Sequence, residues 1–280
     1  MTNMQLFHDV CQDCSKNTTK KYSTSFSSAI HLLGKPLRQP IYNIYGFVRF
    51  ADEIVDTFHA FDKQALLDEF KQATYEAIDR GISLNPILHG FQLTVNHYNI
   101  DKKLIDAFLH SMELDLNRNK YDKGGYEEYI YGSAEVVGLM CLYVFCNGDN
   151  QLYQQLQPGA RSLGAAFQKI NFLRDLKADY EGLKRVYFPE CDFDNFSYAD
   201  KQCIEADIQQ DFNNAYAAIL QLPMQARFGV YVAYKYYLSL FKKIKRLQPQ
   251  KIMEERIRIP DYSKLFIVAK AGVRRQLNLL

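Results

Sequence analysis

The stretch YGFVRFADEIVDTF, residues 45–58, decides how the chain is read. Its aromatic and aliphatic residues recur at helical spacing, as in a buried helix. Yet Asp52, Glu53 and Asp56 interrupt it, one turn after Arg49. Residues four apart on a helix are offset by about 40° and lie about 6 Å apart along the axis, so Asp52 and Asp56 share a face. One such pair is common on solvated helices. Here it sits on one of the most apolar segments of the chain, where like charges repel unless a cation compensates them.

A second stretch, QKINFLRDLKADY (168–180), repeats the pattern: Asn171, Asp175 and Asp179 fall at intervals of four, Gln168 lies one turn earlier, and Arg174 stands beside them. Two carboxylate stripes opposed across a helical core would form a magnesium site, because Mg²⁺ takes hard oxygen ligands and leaves room for substrate phosphates. Asn171 suits it as a neutral oxygen donor. A di-iron bundle would need Glu-x-x-His pairs, and none of the six histidines has a glutamate three residues before it.

Outward from these stripes, helical periodicity dominates. Residues 62–81 read as a helix ending at a C-capping glycine, and residues 101–116 as a helix opened by Asp101. The runs EYIYGSAEVVGLMCLYVF, SLGAAFQKINFLRDLKADY and YVAYKYYLSLFKKIKRL are long and apolar-periodic, and the pattern breaks over 184–198 around Pro189. Alternating strands, short repeats and linker-like composition are all missing from the sequence. The expectation is a single all-α domain over 1–280, with residues 1–20 a mobile extension.

The bulk numbers agree with a globular protein: 48% hydrophobic and 24% charged residues over 280 positions. A net charge of +2 without a long basic run excludes a nucleic-acid partner as the leading idea. The six cysteines are irregularly spaced, so no disulfide framework is expected, and Cys11 and Cys14 read as free thiols near the terminus. The N-terminus does not read as a signal peptide, and Val136–Cys146 is too short to span a bilayer. The expected location is the cytoplasm. The basic run at 241–251 suggests peripheral contact with an anionic membrane.

The ordered motifs resemble the squalene/phytoene synthase family, the head-to-head isoprenoid condensing enzymes. YGFVRFADEIVD is similar to that family's first aspartate-rich motif, and LGAAFQKINFLRDLKADYEGLKRVYFP to its second. YSTSF (22–26), MELDL (112–116) with YIYGSAEVVGLM (129–140), and RIRIPDYSK (256–264) resemble its remaining blocks, in order from about residue 22 to 265. The resemblance implies a class I isoprenoid synthase-type bundle around a central cavity. In it Asp52, Asp56, Asn171, Asp175 and Asp179 would hold Mg²⁺, with Mn²⁺ as a substitute ion. Arg49, Arg174, Tyr45 and Tyr129 would act in catalysis. Ser23, Ser25, Phe26, Gln168, Arg185 and Tyr237 would contact substrate.

The implied reaction joins two prenyl diphosphates through a cyclopropylcarbinyl diphosphate. The leading expectation is two C20 (geranylgeranyl) diphosphates giving phytoene for carotenoid synthesis, with no NADPH. The alternative is two C15 (farnesyl) diphosphates giving squalene or dehydrosqualene. A non-catalytic binding or assembly factor is the reading from another class, and the intact aspartates speak against it. Two departures stand out. Glu135 replaces a small residue of the family pattern, either reshaping the cavity or facing solvent, and Arg185 lies one residue further along than usual.

Overall fold

The computed structural model describes residues 2–117, 121–182, 187–189, 191 and 196–276, the side chains of 178–182 and 261–265 excepted. Among them are helices and connecting turns, with no β-strand. The order is α1 (Asn3–Tyr22), α2 (Thr24–His31), α3 (Lys35–Asp56), α4 (Lys63–Arg80), α5 (Pro86–Tyr98), α6 (Lys102–Asn117), α7 (Lys123–Ile130), a π-helical turn (Tyr131–Glu135) and α8 (Val136–Cys146). Then follow α9 (Asn150–Gly182), α10 (Tyr198–Ile219), α11 (Met224–Lys245), α12 (Pro249–Glu254) and α13 (Asp261–Gln276). The architecture is an all-α, single-domain bundle.

Local chemistry explains the helix ends. Asp62 accepts the Ala65 N–H at the start of α4, and Gly81 closes that helix at φ 69°, a left-handed conformation that costs glycine nothing. Asp101 accepts the Lys103 N–H at the head of α6. Ser197 and Asp200 form a reciprocal capping box at the start of α10. The irregular stretch expected around Pro189 separates α9 from α10, and Tyr187 to Pro189 are non-helical.

α3 and α9 are the site-bearing helices. α3 buries Ile41, Ile44, Phe47, Ala51, Ile54 and Val55, and Phe47 stacks on Phe91 of α5 with centroids 3.9 Å apart. α9 packs along α10, α8 and the π turn, burying Ile170, Leu173 and Leu176. Burial on this scale, at about 25 cal/mol per Å² of apolar surface, fixes both helices against the core.

Two regions differ from expectation. Residues 1–20 were expected as a mobile extension, but helix α1 packs on α3 and α5 with Cys11, Ser15 and Thr19 buried. Its surface is mostly polar, so the sequence shows only a weak apolar stripe. The run 128–145 was expected to be helical; it lies within a helical segment over 123–146 that a π turn of five residues interrupts. It is also long and apolar enough to cross a membrane by composition; half of its most apolar window is buried inside the protein, as suits a core helix.

Candidate active site

Tyr45, Val48, Arg49, Asp52 and Asp56 fall on one stripe of α3, and all five line a cavity of about 520 Å³. Gly164, Phe167, Gln168, Asn171, Arg174 and Asp175 form the matching stripe of α9 and line the same cavity. The two motifs are thus walls of one space. Away from the acids the cavity becomes apolar, reaching Leu33, Leu142, Phe145, Leu156 and Leu222.

The acids of the two walls are compensated differently. On α3, Arg49 turns to Glu53 instead of Asp52, and its guanidinium lies 4.3 Å from the centroid of the Tyr22 ring. Burial, then the neighbouring Asp56, push the Asp52 carboxyl up to about 7; Arg49 opposes this and Asp115 adds to it. On α9, Asp175 accepts from Arg174 at 2.5 Å and from Arg256, which follows α12, at 2.7 Å. The chain brings Arg256 there by pairing the Ile257 N–H with the Arg174 carbonyl at 3.4 Å.

An aromatic group covers the space between the walls. Phe167 stacks on Tyr237 of α11 at 3.8 Å between centroids, and Phe26 packs against Tyr45, Phe167 and Tyr237. The Tyr237 hydroxyl donates to Asn171 Oδ1 at 3.3 Å. Ser23 occupies the break between α1 and α2, where its Oγ accepts the Phe26 N–H at 3.2 Å. Burial pushes the Tyr45 phenol up to about 12, so it stays protonated.

Of the residues expected at the site, Ser23, Phe26, Tyr45, Arg49, Asp52 and Asp56 line the cavity. So do Tyr129, Gln168, Asn171, Arg174, Asp175 and Tyr237. Ser25 is not on the cavity wall. Arg185 and the Asp179 side chain lie outside the described residues. Glu135 does not line the cavity; it pairs with Arg161 at 2.5 Å. Sequence reasoning missed Asp115, which lines the cavity and is 6% exposed, and the individual roles of Tyr22 and Arg256. The MELDL block held the signal for Asp115, since it falls at helical spacing from Phe108, Ser111 and Met112, and an acid on such a face is rarely buried without a partner.

Among the described residues no three acids, histidines or cysteines close around a single point. The donor set nevertheless fits a hard divalent ion. Asp52 is desolvated and feels the like charge of Asp56, a strain that a cation would relieve, and Asn171 and Asp175 offer further oxygens on the facing wall.

The sequence profile of the squalene/phytoene synthase family matches residues 19–263. Similar proteins include the phytoene synthase of Arthrospira platensis, 24% identical over 94% of this chain and 92% of the relative. The 4,4'-diapophytoene synthase of Staphylococcus haemolyticus (strain JCSC1435) is 25% identical over 75% of this chain and 70% of its own. Among solved structures, a dehydrosqualene synthase in complex with ligand superposes with a TM-score of 0.81 at 19% identity, covering 96% and 98% of the two chains. The squalene synthase HpnC from Alicyclobacillus acidocaldarius gives 0.73 at 20% identity, covering 86% and 93%. With both acidic stripes facing one cavity and the profile spanning most of its length, the chain belongs to the squalene/phytoene synthase family, prenyltransferases that join isoprenoid diphosphates head to head.

Proposed function

We propose that this enzyme condenses two C15 prenyl diphosphates into a C30 hydrocarbon of the dehydrosqualene type, without NADPH. The carrying observation is the cavity. It combines ionic walls with an apolar lining that includes Leu33, Leu142, Phe145, Leu156 and Leu222, within about 520 Å³. A cavity of that modest volume supports the shorter of the two chains considered from the sequence. Relatives named for C15-derived and C20-derived products are both present, at 25% and 24% identity.

In this reading Asp52, Asp56, Asn171 and Asp175 would hold Mg²⁺, together with Asp179. The ions would supply charge neutralisation for the leaving diphosphate. Arg49, Arg174 and Arg256 add fixed positive charge at the same wall, where developing negative charge is stabilised without reorganisation. Ser23 and Gln168 contact the diphosphate groups. The rings of Phe26, Tyr45, Phe167 and Tyr237 exclude water and present π faces to an allylic cation, which they stabilise without bonding to it.

The second reading, two C20 diphosphates to phytoene, draws on the Arthrospira platensis relative. Incubation with Mg²⁺ and either the C15 or the C20 diphosphate, with and without NADPH, separates them by product mass. The expected result is a C30 hydrocarbon indifferent to NADPH. A C40 product would replace this substrate assignment with the second reading, and an NADPH-dependent C30 product would move it to squalene. Product release at a membrane accompanies the proposal, because Lys242, Lys243, Lys245 and Arg246 are all exposed at the end of α11. Vesicles rich in anionic lipid should bind the protein and neutral vesicles should not; equal binding to both would remove this part.

A further inference from the structure

Head-to-head condensation of two prenyl diphosphates to a cyclopropylcarbinyl diphosphate releases one diphosphate and one proton. The proton leaves carbon in a dry cavity, so a protein group must be placed to take it. The cavity near Asp52 holds such a group. Asp115 of α6 is buried, lines the cavity, and its Oδ2 accepts the Tyr129 hydroxyl at 2.6 Å. Its Oδ1 accepts the Tyr121 hydroxyl at 3.3 Å. Tyr129 is itself 3% exposed and lines the cavity.

The backbone makes this contact possible. A Cβ at Gly132 would lie 2.5 Å from the Ala107 carbonyl oxygen and 2.7 Å from Ser111 Cβ, so only glycine lets the π turn approach α6 this closely. Asp115 is one turn beyond Ser111 on α6, and Tyr129 one turn before Gly132. The close approach therefore sets the carboxylate under the phenol. Phe172 stacks on Tyr187 with centroids 3.9 Å apart, and the Tyr187 ring centroid lies 5.3 Å from that of Tyr129, so the Tyr129 ring is packed in an aromatic stack. Burial first, then Asp115, hold the Tyr129 phenol well above its ordinary pKa. It is a neutral hydroxyl whose hydrogen is committed to Asp115 and whose oxygen lone pairs are left to accept.

We propose that Asp115, acting through Tyr129, receives the proton lost when the cyclopropane ring closes. The proposal rests on the head-to-head reading of the site. In the step, the first diphosphate has left with the electron pair of its C–O bond, and the allylic cation has been attacked by the double bond of the second substrate. A C–H bond of the resulting cation breaks, and its electron pair becomes the last C–C bond of the ring. The proton passes to Tyr129 Oη while the Tyr129 hydroxyl proton passes to Asp115 Oδ2. Asp115 ends neutral, the phenol is regenerated, and no further reactant is consumed. Tyr121 steadies the other carboxylate oxygen. The charge-assisted hydrogen bond at 2.6 Å means that the acceptor is in place before reaction.

The test compares wild type, Asp115→Asn and Tyr129→Phe with Mg²⁺ and C15 diphosphate, measuring diphosphate released, hydrocarbon formed and prenyl alcohol formed. Asparagine keeps the size of Asp115 and an oxygen for the Tyr129 hydroxyl but cannot take a proton at neutral pH. General-base contributions of about 10²–10⁴ set the scale, so the ratio of hydrocarbon to released diphosphate should fall about 100-fold or more in Asp115→Asn, with alcohol rising to match. Tyr129→Phe should shift the partition the same way, and Asp115→Glu should recover part of it. An unchanged ratio in Asp115→Asn, or a parallel loss of all products, would overturn the assignment, because a residue that only shapes the site lowers every product together. Wild type that releases no diphosphate from C15 or C20 substrate would instead remove the head-to-head reading, and this step with it. Activity confined to the C20 substrate leaves the assignment to be decided by the same ratio measured there.

Discussion

The two acidic walls have the same spacing in sequence and opposite electrostatics in the fold. On α9, Asp175 is held between Arg174 and Arg256, both supplied by the protein. On α3, Asp52 has no salt bridge among the described residues, and its nearest arginine is turned toward Glu53. Burial and the adjacent carboxylates accordingly push Asp52 up to about 7. Asp175 on the second wall is held by two cations of the protein, whereas Asp52 on the first has none paired to it among the described residues. A motif fixes where carboxylates sit along a helix; the surrounding fold decides which of them needs a cation.

The largest expected effect comes from removing the carboxylate of Asp52, the wall residue that burial and like charge raise most. Asp52→Asn should lower Mg²⁺-dependent diphosphate release by about 10²–10³-fold, the scale seen when one preorganised charge-stabilising group is lost. The same variant should gain stability without divalent ions. The folded-state carboxyl at about 7 lies above its ordinary 3.8, so between those values the folded protein holds a proton that the unfolded chain has released. The contribution of Asp52 is therefore full below about pH 4 and is lost as pH rises through 7. The asparagine that replaces it does not titrate. The variant's stability to urea at pH 8 in EDTA should exceed wild type by about 1 kcal/mol or more, since one pKa unit is worth about 1.4 kcal/mol. A variant no more stable than wild type would mean that the first wall is already compensated.

Arg256→Ala tests the other wall. Asp175 keeps Arg174 but loses its second cation, so the second wall comes to resemble the first. The Mg²⁺ concentration for half-maximal rate should fall while KM for the diphosphate rises, by about tenfold for the loss of a charged hydrogen bond worth about 1.5 kcal/mol. The Arg256 side chain is 52% exposed, so thermal stability should change by less than about 1 kcal/mol. Magnesium requirement and KM moving in the same direction would break the comparison.

A smaller effect sharpens it. Glu53→Gln takes away the carboxylate that Arg49 now engages, leaving the guanidinium to turn to Asp52 one helical turn away. The pH dependence of unfolding between about 4 and 7 in EDTA should flatten, because a cation close to Asp52 returns its carboxyl toward the ordinary range. An unchanged slope would show that burial alone, without the choice made by Arg49, governs the first wall.

Much of the layout was legible from the chain. Helical spacing placed Asp52 with Asp56 and Asn171 with Asp175, because 3.6 residues per turn is a local property. Capping chemistry placed Gly81 and Asp101 within a residue of the observed ends, and apolar spacing began the first of these helices at 62. What the sequence did not show depends on neighbours distant in the chain. The Asp115–Tyr129 bond exists because Gly132 admits α6, and the pairing of Arg256 with Asp175 because Ile257 returns to the α9 backbone. Whether Glu135 reshapes the cavity or faces away from it was open in the sequence, and its pairing with Arg161, 26 positions away and off the cavity wall, decides for the second. Helix α1 looked unattached because its buried positions are Cys11, Ser15 and Thr19, small residues that permit close packing without an apolar signature.

That docked helix also connects acid pH to the first wall alone. His8 of α1 meets His89 of α5 at 2.7 Å between Nδ1 and Nε2, with the rings stacked 5.0 Å apart. Ser83 N–H donates to His89 Nδ1 at 3.2 Å, so that nitrogen is an acceptor and Nε2 carries the hydrogen given to His8. Protonation of His89 would place a hydrogen against the Ser83 donor. Burial first, then His8, hold the His89 pKa below its ordinary 6.5. The unfolded chain therefore takes up a proton before the folded one, and stability is full above about 6.5 and is lost as pH falls toward the folded value. α1 ends at Tyr22, whose ring lies against Arg49, so loosening this helix disturbs Arg49 while Arg174 and Arg256 keep Asp175 paired. Because Asp52 contributes with the opposite sign over the same range, the stability difference between wild type and His89→Gln should narrow as pH falls below about 6.5. Amide exchange in α1 should rise over the same range while exchange around Asp175 in α9 does not. Equal protection loss in both helices would mean that the two walls respond to acid as one unit, and the asymmetry would then end at Asp52.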